Sequence, residues 1–251
     1  MTRIIAISNH KGGVGKTTTT VNLSAGLARA GKKVLAIDTD PQANLTQSLG
    51  LVEPQQHTIY GALRGDYGLK PVALTDNLHL IPSTLDLAGI ELEIASKIAR
   101  ESILRKLLAP IVGQYDFILI DCPPSLGLIT VNAFAAATEI FIPLQAEYLA
   151  LHGLDKLIEA AEIVRQNINA NLKITGVIVT LYDSRKVLNR DIAESVEEKE
   201  IFKGKVFKTY IRDNVALAEA PTGGTSVFDY AARSHGAKDY AALVKEVLEQ
   251  K

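Results

Sequence analysis

Cysteine is nearly absent: Cys122 stands alone in 251 residues. One thiol excludes an internal disulfide framework, and it excludes a zinc site or iron–sulfur cluster built from several cysteines of one chain. A reducing cytoplasm fits. An excess of charge of one sign is also lacking, with 27 Lys and Arg against 28 Asp and Glu. The molecule as a whole therefore gives no reason to expect nucleic acid or membrane binding, and any such surface must be a local patch. No run reaches ~18 predominantly apolar residues, because Asn132, Glu139, Pro143 and Gln145 interrupt the best candidate. No spanning segment is expected. Met1-Thr2-Arg3 passes straight into a short apolar strand, without the charged, apolar and small-residue regions of a signal peptide. Repeats, low-complexity tracts and long Pro/Gly/Ser linkers are missing too. One domain over residues 1–251 is the expectation.

What is present is a 47% hydrophobic composition, enough to bury a full α/β core. Apolar runs bounded by turn signals recur at Ile4–Ser8, Val34–Ile37, Leu78–Ile81, Phe117–Ile120, Ile140–Leu144 and Ile174–Leu181, separated mostly by helix-period stretches. That alternation predicts a single doubly wound, mostly parallel sheet with helices on both faces. Helices are expected over Thr17–Ala30, ended by Gly31, over Leu151–Asn169, and at the end of the chain. There Tyr240, Leu243, Val244, Val247 and Leu248 fall on one face. Leu51–Asn77, with Pro54, Gly61, Gly65, Gly68 and Pro71, reads as a loop carrying one short helix.

The first strand leads into Asn9-His10-Lys11-Gly12-Gly13-Val14-Gly15-Lys16-Thr17-Thr18, and a helix follows at once. A phosphate-binding loop needs this order: glycines let backbone N–H groups turn inward, and the helix N-terminus adds its positive end. Lys16 is then placed to reach the β/γ-phosphates of ATP, and the Thr17 hydroxyl to ligate Mg²⁺. A glycine-rich turn with two solvated lysines competes poorly with that arrangement. The general pattern wants glycine where this chain has His10, and a second lysine, Lys11, directly precedes the paired glycines.

Strand Val34–Ile37 ends in Asp38-Thr39-Asp40-Pro41-Gln42, and strand Phe117–Ile120 ends in Asp121-Cys122-Pro123-Pro124-Ser125. Carboxylates at the C-terminal ends of parallel strands point into the crevice where open α/β sheets bind ligands. Asp121 alone reads equally as a strand-end turn residue. Beside a phosphate loop it reads as the carboxylate that holds magnesium directly or through water. Asp38 and Asp40 share one side of their strand, so one can sit by the metal and the other by the attacking water. Cys122 reads as a small buried filler rather than a redox group.

Lys11-Gly12-Gly13-Val14-Gly15-Lys16-Thr17-Thr18 resembles the deviant Walker A motif of the ParA/MinD/nitrogenase-iron-protein superfamily, and the resemblance covers nearly the whole chain. It is nearest the small, chromosomal-type ParA (Soj-like) partition ATPases, through Asp38–Gln42, Ile120–Gly127, Ile142–Tyr148 and Asn214–Pro221. The resemblance implies that residues 11–18 bind the nucleotide, that Lys11 crosses to the nucleotide of a partner subunit in an ATP-sandwich dimer, and that Lys16 acts beside it. It further implies that Asp40 positions water, that Asp38 lies near magnesium, and that Asn214 lies near the adenine. The few residues before the first strand leave no room for the operator-binding domain of larger plasmid relatives. Cys122 alone is too few for the nitrogenase type. The mixed-sign last helix, with Lys245, Glu246, Glu249 and Lys251, suits core packing better than the anionic membrane surface that MinD uses.

The implied cycle is cytoplasmic and nucleoid-associated: ATP closes a homodimer, the dimer coats double-stranded DNA nonspecifically, and a ParB-like adaptor stimulates hydrolysis. Nonspecific DNA contact needs only Lys and Arg near phosphates, and Arg185, Lys186, Arg190, Lys203, Lys205, Lys208, Arg212 and Arg233 are candidates. Acids at Glu194, Glu197, Glu198 and Glu200 make a solvated mixed-charge face the competing reading. Where close relatives read Ile-Pro-Arg-Asn-Val-Arg, this chain reads Ile211-Arg212-Asp213-Asn214-Val215-Ala216, which replaces an arginine implicated in DNA contact. Two alternatives stand beside partition: a positioning ATPase of the same fold for a protein cargo, and a metabolic or metal-carrier P-loop enzyme.

Overall fold

The computed structural model describes residues 1–147 and 154–250. Seven strands form one sheet: β1 (Arg3–Ile7), β2 (Val34–Asp38), β3 (Val72–Ala73), β4 (Leu78–Ile81), β5 (Phe117–Asp121), β6 (Glu139–Gln145) and β7 (Lys173–Thr180). Their order is β3-β4-β2-β5-β1-β6-β7. All pairings are parallel except β3 with β4. The helices are α1 (Lys16–Arg29), α2 (Asn44–Ser48), α3 (Ile59–Arg64), α4 (Ile90–Ile94), α5 (Ile103–Leu108), α6 (Leu128–Ala136), α7 (Leu154–Asn167), α8 (Val187–Glu198), α9 (Val215–Glu219), α10 (Val227–Tyr230) and α11 (His235–Glu249).

The strands are apolar on both sides because both sides are covered. Leu35 and Ile37 of β2, Ile118 and Ile120 of β5, and Ile140 and Ile142 of β6 enter one core with Phe134, Leu157 and Ile192. Their neighbours Val34, Ala36, Phe117, Leu119 and Phe141 enter the other with Leu23, Leu27, Tyr240 and Leu243. This period of two is the pleat of a strand. α1 and α11 share the second layer closely: a Cβ added at Gly26 would lie 2.5 Å from Val244, and Tyr240 exchanges a hydrogen bond with Thr19 at 3.1 Å. Tyr240, Leu243, Val244 and Val247 are buried there, whereas Leu248, expected on the same face, is exposed, so the apolar face of the last helix is core up to its final turn.

Every expected strand is present within a residue or two. α1 ends beside Gly31, which takes a positive φ of 80°, as a helix stop does. The first residues of the expected Leu151–Asn169 helix lie outside the described residues. Within Leu51–Asn77 the short helix is α3, and the stretch also carries β3, which two residues of pattern could not announce. β1 sits between β5 and β6, so the C-terminal ends of β1, β2 and β5 open at one crevice, the point where such sheets bind ligands.

Candidate functional site

After β1 the chain makes a tight loop whose Gly13 and Gly15 have φ of 74° and 85°, a region that costs a side chain ~1–2 kcal/mol. Gly15 is also the residue preceding α1. The loop is fixed from below. Asn9 Nδ2 donates to Pro143 O at 2.8 Å, Asn9 Oδ1 accepts from Lys11 N at 3.1 Å, and Thr180 Oγ1 donates to Val14 O at 2.8 Å. Above Gly12 and Gly13 an added Cβ would meet no atom within 4 Å, so bare backbone faces open space. Lys16 is 8% exposed, and its Nζ donates to Lys11 O at 3.0 Å. Burial lowers its pKa, opposed by the charges of Asp121, Cys122 and Asp40. Lys11 lies at the rim, its Nζ 2.9 Å from Glu147 in a half-exposed ion pair.

The carboxylates lie beneath the loop. β2 and β5 pair Asp38 with Asp121, and both are buried. Asp121 accepts from Thr17 Oγ1 at 2.7 Å and from Thr20 Oγ1 at 3.1 Å. Its pKa is pushed up to about 8 by burial and by Asp38. Asp38 accepts from Asp40 N, Thr46 N and Thr46 Oγ1 at 3.1, 2.8 and 2.6 Å; burial raises it to about 6 against those bonds. Asp40 reaches the open side, 9% exposed, with Oδ1 accepting from Gln42 N at 2.9 Å. Cys122 is 1% exposed with its thiol pushed above the ordinary range by burial, as a filler would be.

A cavity of about 540 Å³ runs from Gly12, Gly13 and Lys16–Thr18, past Asp40 and Pro124, to Arg212, Asp213, Asn214, Leu217, Ala218 and Tyr240. That volume suits a ligand of nucleotide size. The phosphate end offers amides, a lysine and a helix N-terminus. At the far end Asn214 Oδ1 is buried without a hydrogen-bond partner, an acceptor available to a base. Among the described residues no group of three His, Cys, Asp or Glu could hold a metal alone. A threonine hydroxyl beside paired buried carboxylates fits magnesium, which is held by one or two carboxylates and completes its shell with phosphates. A larger cleft, about 1060 Å³, lies around Arg3, Glu139, Arg165 and Lys173 at the opposite ends of the strands, away from every residue of the phosphate loop.

The candidate DNA residues are not all brought to one patch. Arg185, Lys186 and Arg190 are exposed around the start of α8, and Lys203, Lys208 and Arg233 are exposed as well. Arg185 pairs with Asp183 at 2.8 Å. Lys205 borders the opposite cleft, with Nζ donating to Ile201 O at 2.7 Å. Arg212 faces the nucleotide-sized cavity instead, its guanidinium held by both oxygens of Asp239 at 3.0 and 2.5 Å. Sequence reasoning missed Thr20, Thr46, Thr180 and Asn9. Thr20 was within reach, since it follows Thr17 by three residues and shares its helix face.

Glycines, lysine and threonine at a strand–helix turn, over paired strand-end aspartates, define a P-loop nucleoside triphosphatase with a second lysine before its glycines. A family model described as an AAA domain matches residues 2–174. The sporulation initiation inhibitor protein Soj of Bacillus subtilis is 45% identical over 98% of both chains, and the chromosome-partitioning ATPase Soj of Treponema pallidum 44% over 99% of this chain and 98% of its own. Among solved structures, cobyrinic acid a,c-diamide synthase from Mycobacterium smegmatis with bound ADP and magnesium has a TM-score of 0.86 at 34% identity, covering 99% of this chain and 95% of its own. Cyanothece McdA has 0.87 at 26%, covering 99% and 100%. The chain belongs to the Soj/ParA family of chromosome-partitioning ATPases.

Proposed function

We propose that residues 1–251 act as one ParA-like ATPase domain that binds Mg-ATP, closes as an ATP-sandwich homodimer, binds duplex DNA without sequence preference, and hydrolyses ATP when a ParB-like adaptor engages it, in the cytoplasm on the nucleoid. The observation that carries this reading is the division of labour between two lysines. Lys16 is buried under the loop, where it can hold only its own nucleotide. Lys11 stands at the rim in an exposed ion pair worth about 0–1 kcal/mol, so a second subunit's phosphates can draw it away. Amides of residues 12–18 would cradle the phosphates, and Asn214 would meet the adenine. Thr17, Asp121 and Asp38 would hold magnesium, which supplies charge neutralisation at the β- and γ-phosphates. Asp40, open to the cavity, would orient water.

The likeness to a cobyrinic acid a,c-diamide synthase structure favours a second reading, an ATPase acting on a small molecule. The partition relatives are more similar in sequence at comparable coverage, and the cavity of about 540 Å³ is of nucleotide size. The test is light scattering of Asp40→Ala with Mg-ATP. A dimer with nucleotide and a monomer without it is expected, and adding Lys11→Ala should return the monomer. A particle indifferent to both overturns the sandwich, and ATP turnover unchanged in Asp40→Ala overturns the catalytic assignment.

A further inference from the structure

Asp38–Gln42 and Asp121–Gly127 flank the cavity, and at their base Thr39 Oγ1 donates to Asp121 O at 2.6 Å. Their outer parts have no such direct side-chain link among the described residues. Between them runs the segment from Ser83 to Glu91, which the reaction scheme above does not use. Its first residue, Ser83, is 6% exposed and donates from Oγ to the carbonyl oxygen of Asp40 at 2.8 Å. The Ser83 N–H donates to Thr46 Oγ1 at 2.9 Å, the same hydroxyl that donates to Asp38 at 2.6 Å.

The other end grips the second segment. α6 begins after Gly127, which has no side chain to cap the orphan N–H groups of the first turn. Glu91 of α4 does so from outside, with Oε1 accepting from Ile129 N at 3.1 Å. A negative group at a helix N-terminus is favourable. A Cβ at Gly127 would stand 2.4 Å from that oxygen, so an added side chain would displace the Glu91 carboxylate from this position. Thr130 Oγ1 then donates to Ser125 O at 2.6 Å, joining the cap to the loop that carries Pro124 to the cavity wall. The intervening chain is not slack. Leu87, Ile90 and Ile94 are buried in the core that also holds Ile120, Cys122 and Ile129.

We propose that Ser83–Glu91 is a tie bar between the two segments, with Ser83 and Glu91 acting as positioning residues for hydrolysis: Ser83 sets Asp40, Glu91 sets the cavity wall at Pro124, and the packed chain between them makes the two settle together. The proposal rests on the ATPase reading above. A misplacement of about 1 Å can cost a reaction ~100-fold, so one lost hydrogen bond at either end is expected to lower kcat about five- to tenfold.

The test compares steady-state ATP turnover in wild type, Ser83→Ala, Ser83→Thr, Glu91→Ala, Glu91→Gln and Ser83→Ala/Glu91→Ala, with Asp40→Ala as reference. Both alanine variants should lose kcat while KM for ATP holds and the thermal midpoint falls by no more than the few degrees that a lost cap or buried hydrogen bond costs. Thr and Gln keep the hydroxyl donor and the carbonyl acceptor and should restore turnover. The double variant should lose no more than about twofold beyond the worse single change, as coupled sites do. Hydrogen exchange gives an arm independent of turnover: Ser83→Ala should speed exchange of the Ile129 amide. Multiplying losses, failed rescue, or an unmoved Ile129 amide would each overturn the tie. If Asp40→Ala turns over like wild type, the catalytic reading falls instead, and the exchange arm still decides whether the two segments are coupled.

Discussion

Asp121 offers a sharp test because stability and function pull on it in opposite directions. Its carboxyl is held at about 8 by burial and by Asp38, against an ordinary value near 4 in the unfolded chain. Between those values the folded protein keeps a proton that the unfolded chain has lost, so stability falls as pH rises from about 4 to 8. Each tenfold displacement is worth about 1.4 kcal/mol, which sets an upper limit of about 5 kcal/mol at pH 8. Sharing the strain with Asp38 and local relaxation reduce this to about 2–3 kcal/mol. Asp121→Asn keeps the shape and can still meet the hydroxyls of Thr17 and Thr20, which rotate to donate or accept. In EDTA without nucleotide, its thermal midpoint should exceed wild type by about 5–10 °C at pH 8, and by clearly less at pH 5. Mg-ATP should then reverse the order, raising the wild-type midpoint while the variant gains no more than it does from ATP in EDTA. Differential scanning fluorimetry at three pH values reads both effects. Equal midpoints at pH 8, or a gap that does not change with pH, would refute a neutral Asp121.

The other expectations are narrower. Lys16→Ala removes the buried ammonium that donates to the loop carbonyl of Lys11 and should reduce nucleotide affinity about 100-fold or more by calorimetry, in line with loss of charge-assisted bonds to phosphate. Arg212→Ala should weaken nucleotide binding about fivefold and leave duplex mobility shifts of the ATP-loaded dimer in place, because its guanidinium is committed to Asp239 at the cavity. If the dimer contacts about six phosphates, the log of DNA affinity should fall with the log of salt at a slope near −5. Arg185→Glu with Lys186→Glu should flatten that slope without altering ATP turnover, as filter binding across a salt series would register.

The sheet and the phosphate loop were legible because their signals are local. Ile4–Ser8 alternates between two buried faces, and Gly13 and Gly15 occupy positive φ where the pattern needs glycine. Asp121 was legible by position, at the end of a strand beside a phosphate loop. Its partner Thr20 could have been found from Thr17 on the same helix face, but the network Thr46–Ser83–Asp40 could not, since its contacts join segments up to 43 residues apart and Ser83 stands in no periodic element. Arg212 misled for the same reason. As sequence it is one more cation among exposed ones; as structure it is answered by Asp239, 27 residues later on α11. A charge can be counted from sequence, but its counterion belongs to the fold.

The cavity is made in two instalments along the chain. Gly12–Thr18, Asp40 and Pro124 form the phosphate end together with Thr180, which donates to Val14 O, and Arg212, Asp213, Asn214, Leu217, Ala218 and Tyr240 form the other, beyond the residues 2–174 that the family model matches. On the proposed reading, cleavage chemistry and recognition of the rest of the nucleotide would then be written in separate stretches of the sequence. Under that reading, substitutions at Arg212, Asp213 or Asn214 would alter recognition of the nucleotide's far end without touching the residues that hold its phosphates.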